Sequence, residues 1–314
     1  MTVMVAFEAA LATLLVAVAG WSIGARDAFA AVVVFVVYGL LLAIVWVQLS
    51  AIDVALTEAA IGSGLTGALL LGAATRLRVT ETLAAEEGPS ESVRFGAALL
   101  SAMMAAALAA SVFVLSDPAP TLAPLAEANA AATGLGNPVT NVLMAFRAMD
   151  TLLEKVVLLL ALVGIWSLMP DRLWGERSGR HREADPGGAL SLFARLLPPV
   201  GIVVALYILW VGADHPGGAF QAGAILAAMW LLALMAGLAD APAICRRRLR
   251  LMLTAGPMIF LVVGLGGLWI GSAFLAYPAA FAKPLILAIE CAMTLTVAVT
   301  LGLLAGGPEW SAER

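Results

Sequence analysis

Cysteine, histidine and charge are all scarce in this chain. Cys245 and Cys291, its two cysteines, stand one beside a basic loop and one inside an apolar stretch, so they make neither a disulfide framework nor a metal-ligand cluster. His181 and His215 are too few and too isolated for a haem or zinc site built from this chain alone. There is no phosphate loop and no dinucleotide fingerprint after a strand, which leaves no cofactor to expect. No nucleophile, base and orienter can be grouped either, so the chain reads as non-enzymatic. Charged residues make up only 12% of the 314 positions, about half the share in an ordinary soluble domain. The net charge of -4 offers no broad basic surface for nucleic acid, and no long run of like charges marks a disordered tail.

What remains is apolar: hydrophobic residues supply 62% of the chain, and mean hydropathy is +1.01. Lipid must therefore solvate most of the structure, and the expected fold class is all-α, a polytopic transmembrane bundle. About 20 apolar residues cross the hydrocarbon layer as a helix. Nine stretches qualify: Val3 to Trp21, Phe29 to Leu49, Val54 to Ala74, Phe95 to Leu115, Leu152 to Leu168, Leu190 to Trp210, Ala219 to Leu238, Met252 to Phe274 and Pro284 to Leu304. The first lacks a basic head and reads as a retained span, with a signal anchor as the alternative.

Lys and Arg near span ends mark the cytoplasmic side. Basic residues recur at every second loop: Arg26; Arg76, Arg78 and Arg94; Arg172, Arg177, Arg180 and Arg182; then Arg246, Arg247, Arg248 and Arg250. The pattern predicts an outer amino terminus and an inner carboxyl terminus, in the inner membrane of the cell. The most polar stretch, 171–187, with Asp171, Glu176, His181, Glu183 and Asp185 among its arginines, reads as a cytoplasmic linker. It divides a module of about five spans, 1–170, from one of about four, 188–308, and leaves a tail, 309–314.

Acids inside apolar stretches are the candidate functional groups, because an ionised side chain near the bilayer centre costs about 2.5–3.5 kcal/mol on insertion scales. Asp53 falls at the interface and Glu58 more than a turn inside. Asp150, Glu154 and Lys155 open the fifth span, with Arg147 beside them. Thr151 and Glu154 have the spacing of a capping box, which accounts for Glu154 as well as an ion pathway does. Pro216, Gly217 and Gly218 form a turn beside Asp214, His215 and Gln221, and a turn by itself needs no function. Glu290 lies nearly two turns inside the ninth span, with Lys283 two turns earlier on about the same face. By the derived orientation Glu8, Asp53, Glu58, Asp150, Glu154 and Lys283 all fall in the outer half, with Glu290 among the deepest members. Buried carboxylates can exchange a proton for a cation.

Three strings carry a family resemblance. Asp53-Val-Ala-Leu-Thr-Glu-Ala-Ala-Ile-Gly62-Ser-Gly64-Leu resembles the third span of a three-span module near the carboxyl end of the large A subunit of Mrp-type multisubunit Na+/H+ antiporters. Phe146-Arg147-Ala-Met-Asp150-Thr151-Leu-Leu-Glu154 resembles the FRGFDTLGE segment of the module that follows. Pro216-Gly-Gly-Ala-Phe220-Gln-Ala-Gly223 resembles the GHxxPGGGFxGG signature of the B subunit. Related subunits occur in membrane-bound hydrogenases and respiratory complex I. The chain departs from these patterns: Ala148, Leu153, Ala219 and Ala222 replace glycines, Ala213 stands at the histidine, and Lys155 takes a usually apolar place. Glu290-Cys-Ala-Met aligns with an acidic family position.

The resemblance implies an A-subunit tail fused to a B-subunit-like module, within a monovalent cation/proton antiporter or a related ion-pumping complex. Its implied partners are the other subunits, including a large antiporter-core subunit, together with lipid, Na+ or another monovalent cation, and H+. The ion or proton pathway candidates are Asp53, Glu58, Asp150, Glu154, Lys155, Lys283 and Glu290. Without the multi-span antiporter core the chain should not transport alone. A scaffold that seals the complex, with acids neutral or paired, is the alternative. A stand-alone transporter is disfavoured by the weak evidence for two equivalent halves.

Overall fold

A computed structural model describes residues 2–75, 90–116, 120–168, 188–240, 242–271 and 273–307. The expected linker 171–187, the tail 309–314 and most of the basic residues after the third and fifth spans lie outside these. Among the described residues, nine long helices coincide with the nine apolar stretches: α1 Thr2–Gly24, α2 Ala28–Gln48, α3 Ile52–Thr75, α4 Glu91–Val114, α5 Ala148–Ser167, α6 Ala189–Val211, α7 Ala219–Met235, α8 Arg247–Ile270 and α9 Ala282–Gly306. Helix is the form that satisfies every backbone polar group within its own segment, which lipid requires.

Seven of these helices are long and apolar enough to cross a membrane. The other two differ for separate reasons. α7 is apolar but has 17 residues, about 26 Å at the helical rise and short of a layer of about 30 Å. α5 has 20 residues, and its first two turns carry Asp150, Glu154 and Lys155. It also begins at Ala148 rather than at Leu152. Thr151 is thus an interior helical residue, and the expected capping box does not form.

α9 is the hub of the bundle. In its apolar window 72% of positions are buried, against none in α4, whose whole surface is left for lipid or another protein. Around α9 stand α5, α7 and α8, with α6 behind α7. A cluster of Met144, Leu152, Ala213, Phe260, Ile286, Ile289 and Met293 forms the core near the start of α9. Leu162, Leu249, Leu253, Val299 and Leu303 form it near the other end. Close approach replaces bulk where helices cross: a Cβ on Gly223 would meet Val297 and the Thr294 carbonyl, so only glycine lets α7 lie this near α9. α8 contains Pro257, and Thr296 of α9 repairs the ladder beside it. Its hydroxyl accepts from Gly256 N at 2.9 Å and donates to Met252 O at 2.9 Å.

Among the described residues, two π-helical segments interrupt regular winding. Glu58–Leu65 lies inside α3, and Val142–Phe146 precedes α5. Such segments are rare and frequently accompany functional sites. Both flank the same cavity.

Candidate functional site

The polar groups gather where α7 begins. The turn between α6 and α7 takes the backbone through φ +147° at Gly217 and +129° at Gly218, values that favour glycine. A Cβ on Gly217 would also strike the Ile208 carbonyl, and one on Gly218 would lie 3.2 Å from Glu290 Oε1. This bare turn presents the first N–H groups of α7 to acids from two other helices. Gly217 N donates to Asp53 Oδ1 of α3 at 2.8 Å, and Ala219 N donates to Glu290 of α9. The positive end of the helix dipole makes this a natural place for carboxylates.

Asp53 is fully partnered. Its Oδ2 accepts from Asn137 Nδ2 at 3.4 Å, and its backbone carbonyl accepts from Gln221 Nε2 at 3.3 Å. Asn137 reaches further, donating to Gly212 O at 3.2 Å and His215 O at 2.9 Å. With its Oδ1 it caps the short helix at Val139. Thr140 adds a bond of 2.7 Å to Gly212 O. The result is a clamp that ties α3, the segment before α5 and the 212–218 turn together.

Glu290 is partnered on one side only. It sits eight residues into α9, about 12 Å along the axis, and is 4% exposed. Its Oε2 is buried with no hydrogen-bond partner among the described residues. The side chain faces a cavity of about 340 Å³ that Asp53, Thr57, Glu154, Lys155, Gln221 and Glu290 help to line. Lys155 enters from α5, itself 2% exposed. Its Nζ lies 3.0 Å from Glu154 Oε1 and 3.9 Å from the centre of the Phe220 ring.

The other candidates lie elsewhere. Lys283, on the face of α9 that also carries Glu290, instead pairs with Asp214 at 2.7 Å. Asp214 also accepts from Gly136 N at 3.1 Å, and the Lys283 ammonium beside it holds its carboxyl below the usual carboxylate range. Asp150 is exposed and pairs with Arg147 at 2.6 Å. Glu58 is half-buried against α2, where a Cβ on Gly39 would meet its Oε1 at 3.1 Å. Thr151 donates to Leu143 O at 2.6 Å, across the π turn before α5. Of the seven candidates named from the sequence, the structure brings Asp53, Glu154, Lys155 and Glu290 to one cavity and leaves Asp150, Glu58 and Lys283 outside its lining. The sequence reading missed Asn137, Thr140 and Thr57. An Asn before Pro, at a helix start, was the available signal for the first.

Chemically, the site offers one buried carboxylate with a free acceptor, one buried ammonium and one half-exposed carboxylate. That set can hold and pass a proton or attract a small cation. Among the described residues, no group of three or more His, Cys, Asp or Glu side chains could hold a metal ion.

Comparison with known proteins finds two matched regions, which contain Asp53, Gln221 and Glu290 but not Glu154 or Lys155. Residues 189–308 match a domain related to the MnhB subunit of Na+/H+ antiporter, and residues 13–79 match MbhD, a subunit family of MBH. Among solved structures, the chain is similar to one in the Mrp complex from Dietzia sp. DQ12-45-1b, with a TM-score of 0.70 and 25% identity, over 97% of this chain and 35% of that one. It also shares the fold of a chain in the membrane-bound sulfane sulfur reductase, an archaeal respiratory membrane complex. That TM-score is 0.54, with 23% identity, over 69% of this chain and 99% of the other. The chain therefore spans about a third of the length of the Mrp chain it resembles. No curated protein sequence matches it.

Proposed function

We propose that this chain, a multi-pass membrane protein related to Mrp-type antiporter and membrane-bound hydrogenase subunits, is a non-enzymatic subunit of a multisubunit monovalent cation/proton antiporter or a related ion-pumping complex. Its cavity carries part of the proton or ion pathway, in the inner cell membrane, with the basic loops on the cytoplasmic face. The partners of this reading are the other subunits of such an assembly, including a large antiporter-core subunit.

One observation carries the pathway: Glu290, almost fully buried, keeps one oxygen free towards a cavity that also holds Lys155. A carboxylate needed only for packing would have both oxygens satisfied, because an unpaired buried acceptor costs about 1–3 kcal/mol. Asp53 meets that standard and is a structural group. The unburied surface of α4 supports assembly with other chains or close lipid contact.

A scaffold reading is favoured by the clamps at Asp53 and Asp214, which join separate segments through carboxylates that are already hydrogen-bonded or ion-paired. Reconstitution separates the two. The purified chain in liposomes should show no cation/proton exchange. The complex isolated with its native neighbours should exchange ions and lose that activity when the chain is removed. Robust sodium- or potassium-driven proton flux by the chain alone would overturn the subunit reading.

A further inference from the structure

The start of α8 is crowded with positive charge. Arg246, Arg247, Arg248 and Arg250 are all exposed, and the first turn of the helix holds neither an acidic residue nor a side-chain cap. Cations are disfavoured at the positive end of a helix, so helix stability does not account for them. Arg250 turns back to Ile244 O at 3.5 Å. Arg247 and Arg248 make no ion pair or side-chain hydrogen bond among the described residues. They stand four and three residues before Leu251, on the same side of the helix. Leu251 opens a stripe that continues through Met258, Val262, Leu265 and Trp269 at helical spacing, each more than half exposed. The opposite face, with Leu249, Leu253, Phe260 and Gly264, packs into the bundle. Two guanidinium groups therefore head an apolar strip that nothing in this chain covers among the described residues.

We propose that Arg247 and Arg248 bind the phosphate of an anionic phospholipid whose acyl chain lies along this strip. A guanidinium matches a phosphate with paired N–H donors. Helical side chains lean towards the amino end of their helix, so both arginines reach out of the apolar stretch to the level of the headgroups. One leaflet contributes about 15 Å of hydrocarbon, half of the whole layer, and the helix rises about 16 Å from Leu251 to Val262. Charge and apolar length thus fit one lipid molecule. A free anion would meet the arginines and leave the strip unused. The attraction of two arginines to an anionic headgroup corresponds to a roughly thirtyfold preference over a zwitterionic lipid. The inference is independent of the pathway reading, because it uses neither the cavity nor Glu290.

Native mass spectrometry of the purified full-length chain in detergent, titrated with phosphatidylglycerol or with phosphatidylcholine of the same acyl chains, tests it. The first phosphatidylglycerol should bind wild type about thirtyfold more tightly than the first phosphatidylcholine. Arg247→Gln with Arg248→Gln should abolish that preference. Arg195→Gln with Arg250→Gln, which removes as much charge from exposed sites off the strip, should keep it. The deacylated headgroup, glycerophosphoglycerol, should not displace the bound lipid. Equal binding of the two lipids by wild type overturns the proposal and leaves the strip to another subunit. Equal loss in both double variants overturns it too, because the preference would then come from diffuse charge, and displacement by the headgroup alone would make the site one for a free anion. If the Arg247→Gln, Arg248→Gln protein does not fold, the wild-type ratio, the second double variant and the headgroup competition still decide.

Discussion

Replacing Asp53 by Ala removes two bonds at once and leaves a buried donor behind. Gly217 N, which donates to Asp53 Oδ1 at 2.8 Å, loses that acceptor. Asn137 Nδ2 loses its longest bond, 3.4 Å, and keeps Gly212 O and His215 O. A hydrogen bond to a charged group contributes about 1.5–3 kcal/mol, and an unsatisfied buried donor costs about 1–3 kcal/mol. These overlap for a single N–H, so the expected loss is about 3 kcal/mol. Asp53→Asn behaves differently: its carbonyl oxygen can still accept from Gly217, while its amide faces the Asn137 amide. That exchange should cost about 1 kcal/mol. Thermal unfolding in detergent, followed by tryptophan fluorescence and by loss of the monodisperse peak, reads both variants against wild type. If Asp53→Ala and Asp53→Asn fall together, or if Ala is within about 0.5 kcal/mol of wild type, the surface-substitution range, the clamp does not hold the turn.

The pair at the outer end gives a pH signature. Lys283 lowers the Asp214 carboxyl below its ordinary range, so the pair's contribution is fully present above the unfolded value and is lost only as pH falls through the lower, folded one. Both side chains are partly exposed, and the contribution is at most about 1 kcal/mol. The unfolding temperature of wild type minus Asp214→Asn should stay constant from neutral to mildly acidic pH and shrink only below the carboxylate range; a difference already lost at mildly acidic pH contradicts the pairing. Sidedness has its own check. Native Cys245, in the loop before the basic start of α8, should react with an impermeant maleimide only after permeabilisation. Ala131→Cys, in a Cys245→Ser background, should react in intact cells, and the reverse pattern inverts the topology.

The helices were legible because lipid makes length and hydropathy nearly sufficient, and the acids were legible because charge inside apolar sequence is rare. What the pattern could not supply was partner choice across the chain. Lys283 and Glu290 share a face two turns apart, yet the lysine stem leans to Asp214, 69 residues away. Asn137 has a complete local explanation as a cap before Pro138, which conceals its three long-range bonds. Thr140 and Thr57 are uncharged and carry no hydropathy signal strong enough to stand out. The capping-box spacing at Thr151 and Glu154 is present, but α5 starts at Ala148 after a π turn, and a π segment has no residue signature that periodicity can find. Lys155 was visible as a charge opening an apolar stretch, but its burial against Phe220 was not.

Glu290→Gln in the intact complex tests the pathway most directly. The amide oxygen can still accept from Ala219 N, and shape and packing in α9 are kept, so assembly should be normal and only titration is removed. Proton-coupled cation exchange in everted vesicles, measured across pH at matched complex levels, should fall at least about tenfold, the effect of raising one barrier by about 1.4 kcal/mol. Unaltered exchange across the whole pH range, in a normally assembled complex, would make Glu290 a structural residue and remove the cavity from the pathway.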